Sequence, residues 1–311
     1  MTTITGTEIS RAADLLAAGE VVAIPTETVY GLAANALDGR AVARIYEVKG
    51  RPAFNPLIVH VPDANALKKY AREIPDLVFT LAEKFSPGPI TYVLPKLDNI
   101  PDIVTAGGDS VAIRIPAHPM ARALLERLPF PLAAPSANPS GYVSPVSAAH
   151  VAAQLSGHIA YILDGGHCAV GLESTVVKIE QGSIRILRPG AVTHEMLAAI
   201  APVTEANTDK VLPGAGQSSP GQLASHYAPR IPVIIGDVKL LAQTYKDRKV
   251  GLISLDELSP SRDLAEAAQK LFSRMRDYDA TVDVILAEWM PNEGVGIAIN
   301  DRLRRAAATQ P

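Results

Sequence analysis

Two cations separated by one glycine, Lys49 and Arg51, are the residues whose types and spacing point most directly to chemistry. They stand between a helical pattern over residues 41–48 and a strand-like apolar run over residues 57–61. A guanidinium offers a fork to phosphate oxygens and an ammonium offers a compact point charge, so this turn is suited to a polyphosphate. The same spacing is also typical of a solvated surface turn, and these two residues alone do not separate the two interpretations.

A dense polar cluster, Pro25-Thr-Glu-Thr-Val-Tyr-Gly31, directly follows an apolar run over residues 21–24. That run predicts a buried strand, and ligands of α/β sheets bind at the loops where strands end. Two threonines, a carboxylate and a phenol within five residues therefore indicate part of a binding site. Glu27 is equally suited to cap a helix and Tyr30 to a core position, so the cluster by itself stays ambiguous.

An arginine on a predicted strand is the third candidate. Alternation along this segment places Ser110, Ala112 and Arg114 on one face. A buried arginine needs an anionic partner, which is either a structural carboxylate or the carboxylate of a ligand. Two further polar residues, Ser136 and Asn138, stand between prolines that fix the backbone.

Familiar catalytic and phosphate-binding motifs fail on inspection. Gly214-Ala-Gly216 lacks the third glycine of a dinucleotide fingerprint, and Gly216–Gly221 lacks the Lys-Ser/Thr pair of a P-loop. No Gly-x-Ser-x-Gly elbow or zinc-like histidine pair is present, and Cys168 is predicted to be a semi-buried side chain. The sequence therefore favours binding and positioning over covalent catalysis.

The elements that would position these residues alternate between strand-like runs and helical patterns, which indicates an α/β domain with a twisted mixed sheet over residues 1–203. Residues 204–230 are rich in Pro, Gly, Ser and Gln and are predicted to form a linker. A smaller α/β domain is predicted over residues 231–311. Its predicted elements are strands at 231–235, 250–253 and 296–299, a helix over 261–275 and a last helix from Asp301.

Composition and charge narrow the class of protein further. The 311 residues are 48% hydrophobic and 20% charged, which is typical of a folded globular chain. Up to residue 200 the chain has 16 basic and 18 acidic residues, so it is not expected to bind nucleic acid stably. A single cysteine and the lack of a basic, apolar leader favour the cytoplasm. The longest uncharged stretch, residues 128–163, contains five prolines and is not predicted to span a membrane.

Taken together and in this order, five segments resemble the threonylcarbamoyl-AMP synthase family, which is built on a YrdC-like domain. They are Pro25-Thr-Glu-Thr-Val-Tyr-Gly31, Lys49-Gly-Arg51 with Asn55-Pro-Leu-Ile-Val-His60, Pro135-Ser-Ala-Asn138, Gly171-Leu-Glu-Ser-Thr-Val-Val177 and Leu187-Arg-Pro-Gly190. The segment from Ser219 to Pro229 resembles the signature of the two-domain form, which adds a C-terminal Rossmann-like domain. Lys178 stands where an acidic residue is expected, outside the matched ligand positions.

The resemblance implies a nucleotidyltransferase that converts L-threonine, bicarbonate or carbon dioxide, and ATP into L-threonylcarbamoyl-AMP and pyrophosphate. It implies Mg²⁺ on the ATP phosphates, no metal held by the protein alone, and tRNA-modification machinery that accepts the adenylate. The residues implied for ATP are Lys49, Arg51, Asn55, Ser110, Ser136, Ser144 and Arg188, of which Lys49 and Arg51 are also the catalytic pair. Those implied for threonine and bicarbonate are Thr28, His60, Arg114, Ser174 and, through its backbone, Ala134. The resemblance also implies a lid formed by His226 and Tyr227 of the linker.

Two alternatives come from other classes of function. A non-catalytic RNA-binding module is disfavoured by the balanced charge of both halves of the chain. A carbamoyltransferase acting on carbamoyl phosphate would need a companion domain for that chemistry, and residues 231–311 contain no cysteine or zinc-like cluster.

Overall fold

The computed structural model describes residues 2–205 and 227–308, and its first domain extends to residue 205. The strands of this domain are β1 (Ile4–Gly6), β2 (Val22–Ile24), β3 (Gly31–Asn35), β4 (Ile58–His60), β5 (Ile90–Pro95), β6 (Ser110–Arg114), β7 (Leu132–Ala133), β8 (Tyr161–Leu163), β9 (Thr175–Glu180), β10 (Ser183–Arg188) and β11 (Val203–Glu205). Its helices are α1 (Ile9–Ala17), α2 (Gly39–Lys49), α3 (Asp76–Phe85), α4 (Asp102–Thr105), α5 (Pro119–Arg127), α6 (Ala148–Leu155) and α7 (His194–Ala198), with a 3-10 helix at Ala64–Lys69.

Within the described residues, the eleven strands of the first domain pair into one sheet in the order β1-β8-β2-β3-β7-β4-β6-β5-β9-β10-β11. Parallel pairs such as β4 with β6 and β5 with β9 adjoin antiparallel pairs such as β5 with β6 and β9 with β10. The α/β domain with a mixed sheet that the sequence predicted is confirmed.

The strands that enter the site are buried on both faces. Every residue of β2 and β4 is buried, which is typical of strands covered on both sides. Helix α2 packs through Ala41, Val42 and Ile45, and its N-cap is Asp38, whose carboxylate accepts a hydrogen bond from the Arg40 amide. The sequence analysis missed β3 and β7. Strand β7 is only two residues long, so it gives no periodic signal.

The second domain is a smaller α/β unit. Its elements are β12 (Val233–Ile235), α8 (Val238–Thr244), β13 (Val250–Ile253), α9 (Leu255–Leu258), α10 (Leu264–Asp279), β14 (Val284–Ala287) and α11 (Gly296–Ala307). In the part of this domain that the structure describes, three strands form a parallel sheet in the order β12-β14-β13. Parallel strands joined by helical crossovers are the Rossmann-like arrangement that was expected.

The predicted strand at residues 296–299 is wrong, because this run forms the first turn of α11. A four-residue apolar run fits a strand or a buried helix face equally well. Ile299, Leu303 and Ala306 recur at helical spacing and are all buried, which decides for the helix. The central strand of this sheet is β14, a fully buried run that the sequence analysis did not identify.

The two domains are in direct contact. Arg276 of α10 donates hydrogen bonds to the backbone carbonyls of Val143, Ser144 and His150 in the first domain. The Tyr142 hydroxyl donates to the Asp279 carboxylate. Strand β11 pairs with β10 and extends the sheet of the first domain two residues past the predicted boundary at residue 203. Among the described helices, none has the length and apolar character needed to cross a membrane.

Candidate active site

The turn between Lys49 and Arg51 is formed by the end of α2. Gly50 caps the helix in the left-handed region with φ of 57°, a conformation that glycine adopts without steric cost. No atom lies within 4 Å of the position that a Cβ would take at Gly50, so this glycine serves the turn and not a close contact. The turn directs both cations inward, since Lys49 is 3% exposed and Arg51 8% exposed.

The Lys49 ammonium is held by the loop that follows β7. Its Nζ donates to the carbonyl oxygens of Ser136 and Asn138, each at 2.5 Å. Burial, followed by the positive charge of Arg51, holds the pKa of Lys49 well below its ordinary value. The surface-turn interpretation of this pair is therefore wrong, because both cations are buried.

The Arg51 guanidinium is fixed by the segment that follows it. Its Nε donates to the Asn55 carbonyl oxygen at 3.0 Å, and one terminal nitrogen donates to Asn55 Oδ1 at 2.7 Å and to the Pro56 carbonyl oxygen at 2.8 Å. Burial lowers the pKa of Arg51 to about 10. The Asn55 side chain is fully buried, and its Nδ2 makes no hydrogen bond within the described part of the chain.

Arg114 has a structural carboxylate as its partner. Its guanidinium donates to Glu27 Oε1 at 2.5 Å and to Thr28 Oγ1 at 2.8 Å, and Glu27 Oε2 accepts from the Ala117 amide at 3.0 Å. Burial raises the pKa of Glu27, but the charge and hydrogen bond of Arg114 outweigh it, so the net shift is downward. Arg114 also lines the cleft described below, and its pairing with Glu27 fixes the orientation of the guanidinium there.

His60 is the neighbour of Arg114 across the parallel β4–β6 ladder. Burial, then the charge of Arg114, lowers the pKa of His60 to about 3, so the imidazole is neutral at pH 7. Its Nδ1 is buried and has no hydrogen-bond partner among residues 2–205 and 227–308. A buried polar atom without a partner is costly, so His60 Nδ1, beside Arg114, is a candidate contact for a ligand group.

Ser174 directly precedes β9, and Arg188 is the last residue of the antiparallel neighbour β10. The register of this strand pair shifts between Ile186 and Arg188. The Arg188 guanidinium donates to the Ser174 carbonyl oxygen at 2.9 and 3.2 Å and to Ser174 Oγ at 3.2 Å. The Ser174 hydroxyl also hydrogen bonds to Thr91 Oγ1 at 2.7 Å. Burial lowers the pKa of the Arg188 guanidinium.

These residues converge on one cleft. Of the residues that the sequence implicated, its lining includes Thr28, Arg51, His60, Arg114, Ala134, Ser136, Ser174, Arg188 and Tyr227. Tyr227 is 1% exposed and forms part of this lining, and the volume of the cleft is about 50 Å³. His226 lies outside the described residues.

Four implicated residues do not line the cleft. Lys49 and Asn55 contact residues that do, as given above. The Ser144 hydroxyl donates to Glu173 Oε1 at 2.5 Å. Ser110 stands at the opposite end of β6 from Arg114, on the face that includes Ala112. Ala112 belongs to an apolar cluster with Ile58, Val93, Val176 and Leu187.

The sequence analysis missed the roles of Glu27, Glu173 and Arg302. Glu27 and Glu173 lie inside two of the five segments that resemble the family. A carboxylate in a predicted cationic site is a natural partner for a buried arginine, so both residues could have been predicted to form ion pairs. Arg302 pairs with Glu173 through a 3.0 Å contact from Nε. No local signal marks Arg302, because it lies in the second domain, 129 residues from its partner.

Fold and site together define a two-domain α/β protein with a small cleft lined by three buried arginines, Arg51, Arg114 and Arg188. Residues 14–190 match the Sua5/YciO/YrdC family, described as "Telomere recombination". Residues 192–308 match the family described as "Threonylcarbamoyl-AMP synthase, C-terminal domain". The chain belongs to the Sua5/YrdC family in its two-domain form.

Two relatives that match this chain over nearly its whole length are named threonylcarbamoyl-AMP synthase. The threonylcarbamoyl-AMP synthase of Pyrococcus abyssi is 42% identical, with 96% of this chain and 94% of the relative covered. The threonylcarbamoyl-AMP synthase of Bacillus subtilis is 43% identical, and the match covers 96% of this chain and 93% of the relative. The crystal structure of P. abyssi Sua5 complexed with L-threonine has a TM-score of 0.88 and 40% sequence identity, and covers 99% of this chain and 98% of that one.

Proposed function

We propose that this chain is a threonylcarbamoyl-AMP synthase, a nucleotidyltransferase that forms L-threonylcarbamoyl-AMP and pyrophosphate from L-threonine, bicarbonate or carbon dioxide, and ATP. The observation that carries the proposal is the cleft itself. Three buried arginines, Arg51, Arg114 and Arg188, line one small cavity, and the neighbouring His60 Nδ1 has no partner among the described residues. Buried cations of this density are stable only beside anions, so the cleft is built for a charged ligand.

The nucleotide is assigned to the side of the cleft formed by Lys49, Arg51 and Arg188. Lys49 has one ammonium hydrogen beyond the two that contact carbonyls, and the arginines present forks to phosphate oxygens. The adjoining apolar cluster of Ile58, Val93, Ala112, Val176 and Leu187 is suited to the flat face of a base. Ser110, Ser136, Ser144 and Asn55 complete the proposed nucleotide side.

L-Threonine is assigned to the opposite side. Arg114 is oriented by Glu27 and is suited to hold the amino-acid carboxylate. The Ala134 amide already donates to the Ile58 carbonyl at 2.9 Å, so its own carbonyl is the backbone group left for the ligand. Thr28, His60 and Ser174 are proposed to supply the remaining polar contacts. The crystal structure of P. abyssi Sua5 in complex with L-threonine supports threonine as a ligand.

The reaction needs no nucleophile from the protein. The threonine amine forms an N–C bond with carbon dioxide and loses a proton, and one carbamate oxygen then attacks the α-phosphorus of ATP. The bond from the α-phosphorus to the bridging oxygen breaks, and pyrophosphate leaves with that oxygen. The protein supplies alignment and neutralisation of the phosphate charge, which is the role proposed for Lys49 and Arg51.

Magnesium is proposed to enter as part of the substrate, bound to the ATP phosphates. Among the described residues, no group of three or more His, Cys, Asp or Glu side chains is placed to hold a metal ion. The two carboxylates nearest the cations, Glu27 and Glu173, are engaged in ion pairs with Arg114 and Arg302. No protein residue is therefore assigned to Mg²⁺.

The linker is proposed to act as the lid. Tyr227 of the linker lines a cleft of about 50 Å³, which is smaller than ATP, so we propose that the linker moves when the nucleotide enters. Exclusion of water by that segment would protect the carbamate and the mixed anhydride from hydrolysis. We place the protein in the cytoplasm, where tRNA-modification enzymes would accept its labile product.

Pyrophosphate release from MgATP and bicarbonate tests the proposal, with L-threonine, L-serine or no amino acid, for wild type and Arg114→Ala. We expect release that depends on threonine, is lost in the variant, and yields threonylcarbamoyl-AMP by mass spectrometry. Folded wild-type protein that releases no pyrophosphate under any of these conditions would refute it. Turnover with carbamoyl phosphate in place of bicarbonate and threonine would instead favour a carbamoyltransferase.

A further inference from the structure

A fully buried arginine extends from the second domain to the wall of the cleft. Arg302 of α11 is 0% exposed, and its Nε donates to Glu173 Oε2 at 3.0 Å. One terminal nitrogen donates to the Pro189 carbonyl oxygen and to Asp301 Oδ2, each at 2.9 Å. Arg302 is therefore held between its own helix and the strand-end segments that carry Ser174 and Arg188.

The partner of Arg302 is an acidic residue in a cleft built for anions. Glu173 is the one carboxylate among the described residues that line this cleft, and it also accepts the hydrogen bond from Ser144. Burial lowers the pKa of Arg188, whereas the negative charge of Glu173 raises it. An unpaired Glu173 would therefore compete with phosphate for Arg188 and would repel the phosphate as well.

Arg302 also contacts Tyr227, which lines the cleft. Its guanidinium carbon lies 5.2 Å from the centre of the Tyr227 ring, and the ring stacks on Phe272 of α10 with centroids 5.7 Å apart. The second domain thus reaches both the acidic residue of the cleft and the aromatic residue over it. Cation–π contacts of this kind are strongest where water is excluded, as it is here.

We propose that Arg302 is a positioning residue for the reaction, supplied by the second domain. It neutralises Glu173, leaves Arg188 and Arg51 available to the ATP phosphates, and holds Tyr227 over the bound nucleotide. This proposal rests on the assignment of ATP to the cleft. It gives the body of the second domain, and not only the linker, a part in nucleotide binding.

Equilibrium binding of MgATP by calorimetry, together with steady-state pyrophosphate release, tests this role in the full chain. In Arg302→Met, Glu173 loses its counterion, so we expect the Kd and KM for ATP to rise roughly tenfold or more, with the threonine KM within about twofold of wild type. The double variant Glu173→Gln/Arg302→Met carries no unpaired carboxylate, and at least about a threefold recovery of ATP affinity is expected. Arg302→Lys retains the cation and should bind ATP more tightly than Arg302→Met.

Arg276→Met is the matched control, because Arg276 also joins the domains but hydrogen bonds to backbone carbonyls and the Gln154 amide. It should lower thermal stability while changing the Kd for ATP by less than about twofold. Two results would overturn the proposal and leave Arg302 as a contact that only docks the domains. In one, the double variant binds ATP as weakly as Arg302→Met does. In the other, Arg276→Met impairs ATP binding as much as Arg302→Met does. Wild-type protein that binds ATP without threonine-dependent turnover would count against the proposed function alone, since calorimetry would still test Arg302.

Discussion

At the scale of single residues, the site is defined by charges kept away from water. Lys49, Arg51, Arg114 and Arg188 are each less than a tenth exposed, and burial alone would disfavour their charged forms. Glu27 offsets that cost for Arg114, whereas the hydrogen bonds that hold the Lys49 ammonium go to the neutral carbonyl oxygens of Ser136 and Asn138. These two residues should therefore respond differently to substitution and to pH.

Replacement of Arg114 by lysine should weaken threonine binding selectively. Lysine keeps a positive charge beside Glu27 but loses the planar fork that a carboxylate requires. Loss of one charge-assisted hydrogen bond, worth about 1.5–3 kcal/mol, corresponds to an increase of roughly 10–150-fold in the threonine KM. Arg122→Lys, at an exposed pair with Glu126, serves as the control. A raised ATP KM with unchanged threonine KM would move Arg114 to the nucleotide side.

Lys49 should make ATP binding sensitive to alkaline pH. Its pKa in the free protein is lowered by burial and by Arg51, while phosphate favours the protonated form, so ATP binding above that pKa requires proton uptake. The KM for ATP should then rise with pH, by up to about tenfold per unit, beginning below the ordinary lysine pKa of about 10.4. Lys49→Arg should shift this rise to higher pH. Identical profiles for both proteins, measured by initial rates, would exclude Lys49 as the titrating group.

At the scale of elements, strand ends and the turns beside them place the ligand groups. Thr28 lies after β2 and Arg51 lies after α2. His60 is the last residue of β4, Arg114 is the last residue of β6, and Ser174 directly precedes β9. The close packing of these turns is clearest at Gly190, where a Cβ would lie 2.4 Å from the Thr175 nitrogen and 2.6 Å from the Glu173 carbonyl oxygen. Gly190 therefore sets the position of the Glu173–Thr175 backbone.

Gly190→Ala should displace that backbone and with it the Ser174 hydroxyl. Overpacking against rigid backbone is expected to cost about 1–3 kcal/mol of stability and to lower kcat/KM by at least about tenfold. Gly39→Ala is the control, since the nearest atom to its Cβ is a side-chain carbon of Ile103 at 3.9 Å and alanine is favoured in a helix. Thermal unfolding and pyrophosphate release measure both effects. Wild-type values in Gly190→Ala would show that the segment tolerates displacement.

At the scale of the whole molecule, the second domain completes the first. Arg276 hydrogen bonds to carbonyls of the first domain, Arg302 pairs with Glu173, and Phe272 stacks on Tyr227. Such contacts tie the cleft to a domain with its own sheet and core. The two domains should therefore unfold together while these contacts are intact.

Arg276→Met should make the unfolding of the two domains less cooperative, while the folded protein keeps the pairing of Arg302 with Glu173. It leaves several carbonyls without their charged donor, so we expect a loss of about 2 kcal/mol and a calorimetric trace that separates into two transitions. Arg304→Met, an exposed change above the Trp289 ring, should keep a single transition at nearly the wild-type Tm. A single, unshifted transition in Arg276→Met would show that the domain contact does not depend on this arginine.

The sequence alone determined the two α/β domains, the mixed sheet and the order of the site motifs, because buried runs, turn residues and short polar motifs are local features. It left open the anionic partner of Arg114, since Glu27 lies 87 residues away and only the fold brings them together. It misassigned residues 296–299, because four apolar residues do not distinguish a strand from a buried helix face. Only the tertiary structure decided that Arg302 belongs to the cleft, since its pairing with Glu173 depends on how the two domains pack.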